Sequence, residues 1–347
     1  MSKHLNLSPR HIFAALALAG AQFALSGAAH AQAANDAANV TATAFETPGT
    51  FNSIKQINAG VLNIGYVDEG PANGPVVILL HGWPYDIYSY VDVVPILTKA
   101  GYRVIVPYLR GFGTTRFLDP HTPRDAEPAA LASDVINLMD ALKIKKATLA
   151  GYDWGARTAD IVAALYPQRV NGLVSVSGYL IGSQASGKQP LPPDAELQWW
   201  YQYYFATHRG EVGYEKYTRD FAKLIWQTAS PKWHFDDATF DRSAAALDNP
   251  DQAAITIDNY RWRLGLVKGL PKYEAMEAQL AKFPAITVPT ITLEGDANGA
   301  PHPAPASYAK HFTGKYKHEL IAGGVGHDLP QEAPRAFANA VIEVGHL

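Results

Sequence analysis

Residues 151–156 read Gly-Tyr-Asp-Trp-Gly-Ala, directly after the apolar run Ala147-Thr148-Leu149-Ala150 and at the start of a helix-like stretch, Trp154–Tyr166. A strand that turns sharply into a helix needs small residues on both sides of the turn, and Gly151 and Gly155 supply them. The residue at the tip of such a turn is lifted into a cleft, and here it is Asp153. An aspartate here also suits a plain helix N-cap, but the paired small residues ask for more than a cap. A carboxylate is already ionised at neutral pH. It is a weak nucleophile that displaces a leaving group from saturated carbon and leaves an ester that water can open.

Outward from this turn the chain alternates apolar runs with helical patterns. Phe51–Ile57 and Val61–Val67 read as strands parted by Asn58-Ala59-Gly60. Pro75–Leu80 and Tyr102–Pro107 are apolar on both faces, as central parallel strands are. The first ends at His81-Gly82-Trp83-Pro84, the second at Tyr108-Leu109-Arg110-Gly111-Phe112-Gly113. Val91–Ala100 and Leu131–Leu142 read as helices, and Gly172–Ser177 as a strand. From about residue 183 to 284 the alternation stops. A Gly/Ser/Pro linker leads into an aromatic section with helical segments, including Trp199-Trp200-Tyr201-Gln202-Tyr203-Tyr204-Phe205 and Tyr260-Arg261-Trp262. The pattern returns with strands Ile286–Leu293 and Tyr316–Ile321 and a closing helix over 331–343. The expectation is an α/β fold with a mostly parallel central sheet, its core in two parts (51–182 and 285–347), and a helical cap (183–284) inserted between them.

Composition narrows the function classes. The chain has 347 residues, 48% of them hydrophobic, and a formal net charge of −3. With no concentrated cationic block, nucleic-acid binding is disfavoured. It has no cysteine, so disulfides, thiolate catalysis and cysteine-ligated metals are excluded. No His/carboxylate cluster has metal-ligand spacing, and Gly111-Phe112-Gly113 alone is no dinucleotide fingerprint. No cofactor or metal is expected. At the N-terminus, Lys3 and Arg10 precede the apolar, small-residue run Ile12–Gly27, and Ala29-His30-Ala31 fits an A-x-A cleavage site. The run is short for a membrane span of about 20 residues. The reading is a signal peptide over 1–31, a loose lead-in over 32–50, and a periplasmic or secreted protein without membrane insertion, monomeric or homodimeric. Cleavage after Ala33 fits as well.

Four ordered signals carry a resemblance over nearly all of the mature chain: HGWP at 81–84, GYDWGA at 151–156, an acid after the next-to-last strand, and GVGHDLPQEAP at 324–334. The chain resembles the α/β-hydrolase superfamily, in the branch holding epoxide hydrolases and haloalkane dehalogenases. The resemblance implies Asp153 as nucleophile and His327 as the base that activates water. It implies backbone N–H groups of Trp83 and Trp154 as the oxyanion hole, and gives His81 a structural part. The histidine needs an orienting acid. Asp296 matches the family's usual place, with Glu294 and Asp328 as neighbours that compete for the role. The other place relatives use follows Ser175-Val176-Ser177-Gly178-Tyr179, where no acid stands. Arg110 and its glycines match a loop of this branch.

The leaving group separates the two chemistries. An opening epoxide leaves as an alkoxide and needs a proton donor; halide leaves as a stable anion and needs none. The resemblance implies two cap tyrosines as donors: Tyr201, in a Tyr-Gln-x-Tyr-Phe-like segment, and Tyr260, in Asn259-Tyr260-Arg261. Tyr203 and Tyr204 are alternatives for the first, and aromatics at such spacing also simply fill an interface. Trp200, Tyr204, Phe205 and Trp262 are expected to line or pack a pocket for a small apolar epoxide. Many haloalkane dehalogenases carry asparagine where Trp83 stands. Haloacetate dehalogenases place arginines one and four residues after the nucleophile to clamp a carboxylate; here those positions hold Trp154 and Arg157, half a clamp, which leaves a small acidic substrate open. The favoured function is epoxide hydrolysis to a vicinal diol through an alkyl–enzyme ester. The alternatives are a haloalkane or haloacetate dehalogenase with the same residues, and a non-catalytic exported binding protein on this fold.

Overall fold

The apolar runs become the buried centre of one sheet. The computed structural model describes residues 49–347; the expected signal peptide over 1–31 and residues 32–48 of the expected lead-in lie outside the described residues. The strands are β1 (Lys55–Ala59), β2 (Leu62–Glu69), β3 (Val76–Leu80), β4 (Arg103–Pro107), β5 (Arg116–Phe117), β6 (Ala147–Gly151), β7 (Val170–Val176), β8 (Thr290–Gly295) and β9 (Tyr316–Ile321). Their order is β1-β2-β4-β3-β6-β7-β8-β9, with β5 beside β2. Pairs involving β2 are antiparallel, and every pair from β4 to β9 is parallel. Every residue of β6 and β8 is buried, as strands covered on both faces must be, while β9 at the edge is half-exposed.

Two expected strands begin late. Phe51–Ile54 has no ladder partner, so β1 starts at Lys55, paired with Tyr66. Between Ile286 and Thr290 stands Pro289, which has no N–H for a ladder. Ile286 makes an isolated bridge to Phe312, and continuous pairing starts only at Thr290.

Helices α1 (Val93–Lys99), α2 (Pro128–Ala141) and α3 (Trp154–Leu165) belong to the first part of the chain. Between β7 and β8 come α4 (Trp200–Phe205), α5 (His208–Lys216), α6 (Thr218–Ala229) and α7 (Gln252–Arg263), among other short helices, and α8 (Pro334–Val344) closes the chain. Helix α6 buries Phe221, Ala222, Ile225, Trp226 and Ala229 along one stripe. In the core, α1 packs on α8 and α2 on α3.

The sheet order places β4 on one side of β3 and β6 on the other, which opens a crevice at the carboxyl ends of these strands. Leu80 pairs with Gly151, and Gly151 with Ser175, so the loops after β3, β6 and β7 emerge together. Trp83, in the loop after β3, fastens the inserted helices over that edge. Its ring centroid lies 5.1–6.2 Å from those of Tyr201, Phe205, Tyr214, Phe221 and Tyr260. Its indole N–H donates to the Tyr214 hydroxyl at 3.1 Å. Among the described residues no helix is long and apolar enough to cross a membrane.

Candidate active site

Asp153 sits between β6 and α3 with φ 50° and ψ −121°, a backbone conformation that a residue with a Cβ adopts only at a cost of about 1–3 kcal/mol. The flanking glycines make the turn possible. A Cβ on Gly155 would fall 1.9 Å from the carbonyl oxygen of Leu80, and one on Gly82 would fall 2.7 Å from the Cβ of Asp153. Tight contact between the β3 loop and the elbow thus delivers the Trp83 backbone N–H to Asp153 Oδ1 at 2.8 Å. The other carboxylate oxygen lies 3.5 Å from His327 Nε2. Burial alone would raise the carboxyl pKa. His327 and the N–H groups of Trp83 and Trp154 outweigh it and hold Asp153 below the usual carboxylate range.

His327 is fixed by its loop. Its N–H donates to Ser230 Oγ (2.9 Å), and Ser230 in turn donates to Glu332, which also accepts the Gly326 N–H. The far ring nitrogen, Nδ1, lies 3.2 Å from Asn298 Oδ1. Here the sequence expectation is corrected. Asp296 does not reach the histidine: its carboxylate accepts the backbone N–H groups of Gly323, Gly324 and Val325 at 2.8–3.0 Å. Those N–H groups hold its pKa low, and the side chain is spent on shaping the loop before His327. Asp328 is turned away as well, accepting from Ser89 Oγ at 3.0 Å.

Asn298 fills the place expected for an acid, and its amide orientation is determined from both ends. Its Oδ1 accepts the Ala300 backbone N–H (2.9 Å), and its Nδ2 donates to Glu294 Oε1 (2.8 Å) and to Ser177 Oγ (3.3 Å). Only an oxygen can accept from a peptide N–H, so the oxygen faces the histidine. Nδ1 therefore carries a proton, and Nε2 is the ring nitrogen that faces Asp153.

His81 is locked as a neutral ring. Nδ1 lies 2.9 Å from the Gly82 carbonyl, Nε2 accepts the Leu109 N–H at 3.1 Å, and burial lowers its pKa to about 4. Arg110 is buried in a two-pronged pair with Asp134 (2.7 and 2.8 Å) and a contact to Asp125, within the core rather than between core and cap.

A cavity of about 410 Å³ covers Asp153 and His327 and is also lined by Trp83, Trp199, Trp200 and Tyr201. Tyr201 and Tyr260 have ring centroids 5.3 Å apart, and Tyr260 takes a long hydrogen bond from Trp154 Nε1 at 3.4 Å. Burial, reinforced for each by the charge of Asp153, raises both phenol pKa values and keeps them protonated donors. Tyr260 lies behind Tyr201 rather than on the cavity wall. Of the expected pocket residues only Trp200 lines this cavity. Tyr204 turns its hydroxyl to α5, where a Cβ on Gly213 would come within 1.9 Å of it. Phe205 is fully buried in the aromatic cluster around Trp83, and Trp262 faces separate clefts beside Ser183. Among the described residues no group of His, Cys, Asp and Glu is arranged to hold a metal.

Comparison with known proteins agrees with this architecture. Residues 75–213 match the family model of the alpha/beta hydrolase fold. A crystal structure from Klebsiella pneumoniae subsp. pneumoniae, provisionally assigned as an epoxide hydrolase, is 66% identical with a TM-score of 0.86, over 87% of this chain and 100% of that one. Epoxide hydrolase B of Mycobacterium tuberculosis is 35% identical over 171 residues, 45% of this chain and 47% of that protein. A haloalkane dehalogenase of Mycobacterium marinum is 38% identical over 133 residues, 37% of this chain and 42% of that protein. The matches to these two curated relatives thus span about half of their length or less. The chain belongs to the α/β-hydrolase superfamily, with the inserted helical cap of its epoxide-hydrolase branch.

Proposed function

We propose that the protein opens an epoxide to a vicinal diol in two half-reactions. Asp153 attacks one epoxide carbon, the C–O bond breaks, and the departing oxygen takes a proton from Tyr201, whose ring packs against that of Tyr260. His327 Nε2 then removes a proton from water, which adds to the ester carbonyl of Asp153. The oxyanion is held by the N–H groups of Trp83 and Trp154, and collapse frees the diol and restores the carboxylate. The proton left on His327 returns by way of solvent to the Tyr201 phenoxide.

The observation that carries this reading is the protonated Tyr201–Tyr260 pair beside a carboxylate that already touches an N–H donor and an imidazole. Displacement of halide from a haloalkane would instead call for indole N–H donors free beside Asp153. The Trp83 indole N–H is committed to Tyr214 and that of Trp154 to Tyr260. One observation favours a second reading, displacement of halide from a small haloacid: Arg157 lines the same cavity. Parallel turnover of an aryl epoxide, a bromoalkane, a haloacetate and an aryl ester separates these. Diol formation with little halide release is the expected outcome; halide release without diol would overturn the assignment. We further propose export by cleavage near Ala31 or Ala33, to be read from the N-terminal sequence of the mature protein.

A further inference from the structure

Two guanidinium groups line the cavity above Asp153: Arg157, one turn into α3, and Arg263, the last residue of α7. Neither forms a hydrogen bond or ion pair with any described residue. Nε of Arg157 is buried without a partner. Burial, and the positive charge of Arg263 next to it, lower the Arg157 pKa to about 10. The guanidinium of Arg263 lies over Trp199 and Tyr260, 5.5 and 5.2 Å from their ring centroids, cation–π contacts that use none of its N–H groups.

Of the neighbouring acids, Glu277 feels the Arg157 charge, but its carboxylate accepts the Ala129 N–H and burial raises its pKa to about 7. Asp160 accepts the Leu180 N–H, and burial raises its carboxyl to about 8, so it is mostly protonated at neutral pH. Glu196, in the adjoining cleft, is committed to the Leu191 N–H and the Tyr203 hydroxyl. Asp153 offsets one positive charge in the resting site, but as an ester it would be neutral and offset none. Both arginines are half-buried, and unpaired cations held near one another in such a cavity are costly unless an anion joins them. A carboxylate fits two guanidiniums through paired N–H···O bonds.

We propose that Arg157 and Arg263 form an anion subsite, and that the substrate is an epoxide bearing a carboxylate. This deepens the epoxide-hydrolase reading and rests on it for the word epoxide; the anion subsite itself does not depend on it. The apolar part of such a molecule lies against Trp199, Trp200 and Leu197, and the oxirane over Asp153.

The test uses matched pairs differing only in charge: 3-phenylglycidate against 3-phenylglycidamide for turnover, and 3-phenylpropanoate against 3-phenylpropanamide for binding by calorimetry. The acid is expected to bind at least tenfold tighter than the amide, with a kcat/KM ratio of glycidate to glycidamide of at least ten. Arg157→Gln and Arg263→Gln are each expected to cut both ratios about tenfold, and Arg263→Lys to restore part. Equal binding of acid and amide to the unaltered protein overturns the subsite, whatever the variants do. Preference for the acid without turnover of either glycidate supports the subsite and overturns the epoxide reading. Equal turnover of both glycidates with equal binding does the reverse.

Discussion

The imidazole of His327 and the carboxylate of Glu294 are joined through one amide, that of Asn298. A carboxylate in that place would orient the ring and also stabilise its charge; an amide does only the first. An unsupported asparagine risks presenting its NH₂ to the ring, which selects the wrong tautomer and costs orders of magnitude in rate. Here Glu294 takes the NH₂ and the Ala300 N–H takes the oxygen, so the amide is held in the useful orientation.

This arrangement assigns positioning roles that can be measured. Asn298→Ala is expected to slow hydrolysis of the ester by roughly 10²-fold while leaving its formation within a few-fold. Glu294→Gln, which keeps an acceptor for the amide, is expected to stay within a few-fold of the original, and Glu294→Leu to lose roughly tenfold. Asn298→Asp would set two carboxylates where an amide now lies 2.8 Å from Glu294. One of them is expected to keep its proton, so full activity should need the double change Asn298→Asp with Glu294→Gln. Single-turnover rates for formation and decay of the intermediate check all five variants. An Asn298→Ala protein with an unaltered decay rate would remove the positioning role.

His327→Gln separates the half-reactions more sharply. Asp153 is held ionised partly by backbone N–H groups that the substitution leaves in place, so attack on the epoxide continues while water activation fails. Incubation with styrene oxide is expected to add the mass of one substrate to the peptide containing Asp153. An unmodified peptide, from a protein whose unaltered form turns the epoxide over, would contradict an alkyl–enzyme intermediate.

Asp153 and His327 were legible in the sequence because each stands at a strand end inside a short motif whose glycines force one local geometry. Register then brings the two loops together. Asn298 was not legible because the partner of such a histidine is ordinarily an acid, and an amide carries no charge to mark it. Asp296 misled for a physical reason: Glu294, Asp296 and Asn298 fall within five residues where β8 runs into its loop, and which one faces the histidine depends on loop dihedrals that no periodicity encodes. Gly323-Gly324 was the available signal, since successive free N–H groups in a glycine turn make a receptor for a carboxylate. Arg263 escaped because its meaning depends on Arg157, far away in the sequence and on another helix. In the cap, aromatic spacing gave helices but not facing, so Tyr201 reaches the cavity while Phe205 and Trp262 do not.

The tyrosine pair is tested by changing the leaving group. Tyr201→Phe removes the donor nearest Asp153 and is expected to cost about 10²-fold in epoxide opening. Tyr260→Phe removes the group behind it and is expected to cost less, roughly tenfold. Any slow displacement of bromide from a bromoalkane needs no proton and should change by a few-fold at most in either variant. Pre-steady-state rates on both substrates decide it; equal losses on both would mean the phenols only shape the cavity.

The last prediction concerns His81 and acid stability. Its folded pKa, lowered to about 4 by burial, lies below the value of about 6.5 expected when unfolded. Above pH 6.5 both states hold a neutral ring and the group contributes no pH dependence. As pH falls from about 6.5 to about 4, the unfolded chain gains a proton that the folded one refuses, so stability drops by up to about 1.4 kcal/mol per pH unit, or about 3 kcal/mol in all. His81→Gln lacks this titration but also lacks the bonds to Gly82 and Leu109, so it is expected to be less stable at pH 7.5. The gap between the two proteins should narrow steadily towards pH 5. Urea denaturation of both at half-unit pH steps measures it, and a gap of constant size would show that His81 takes up its proton without unfolding.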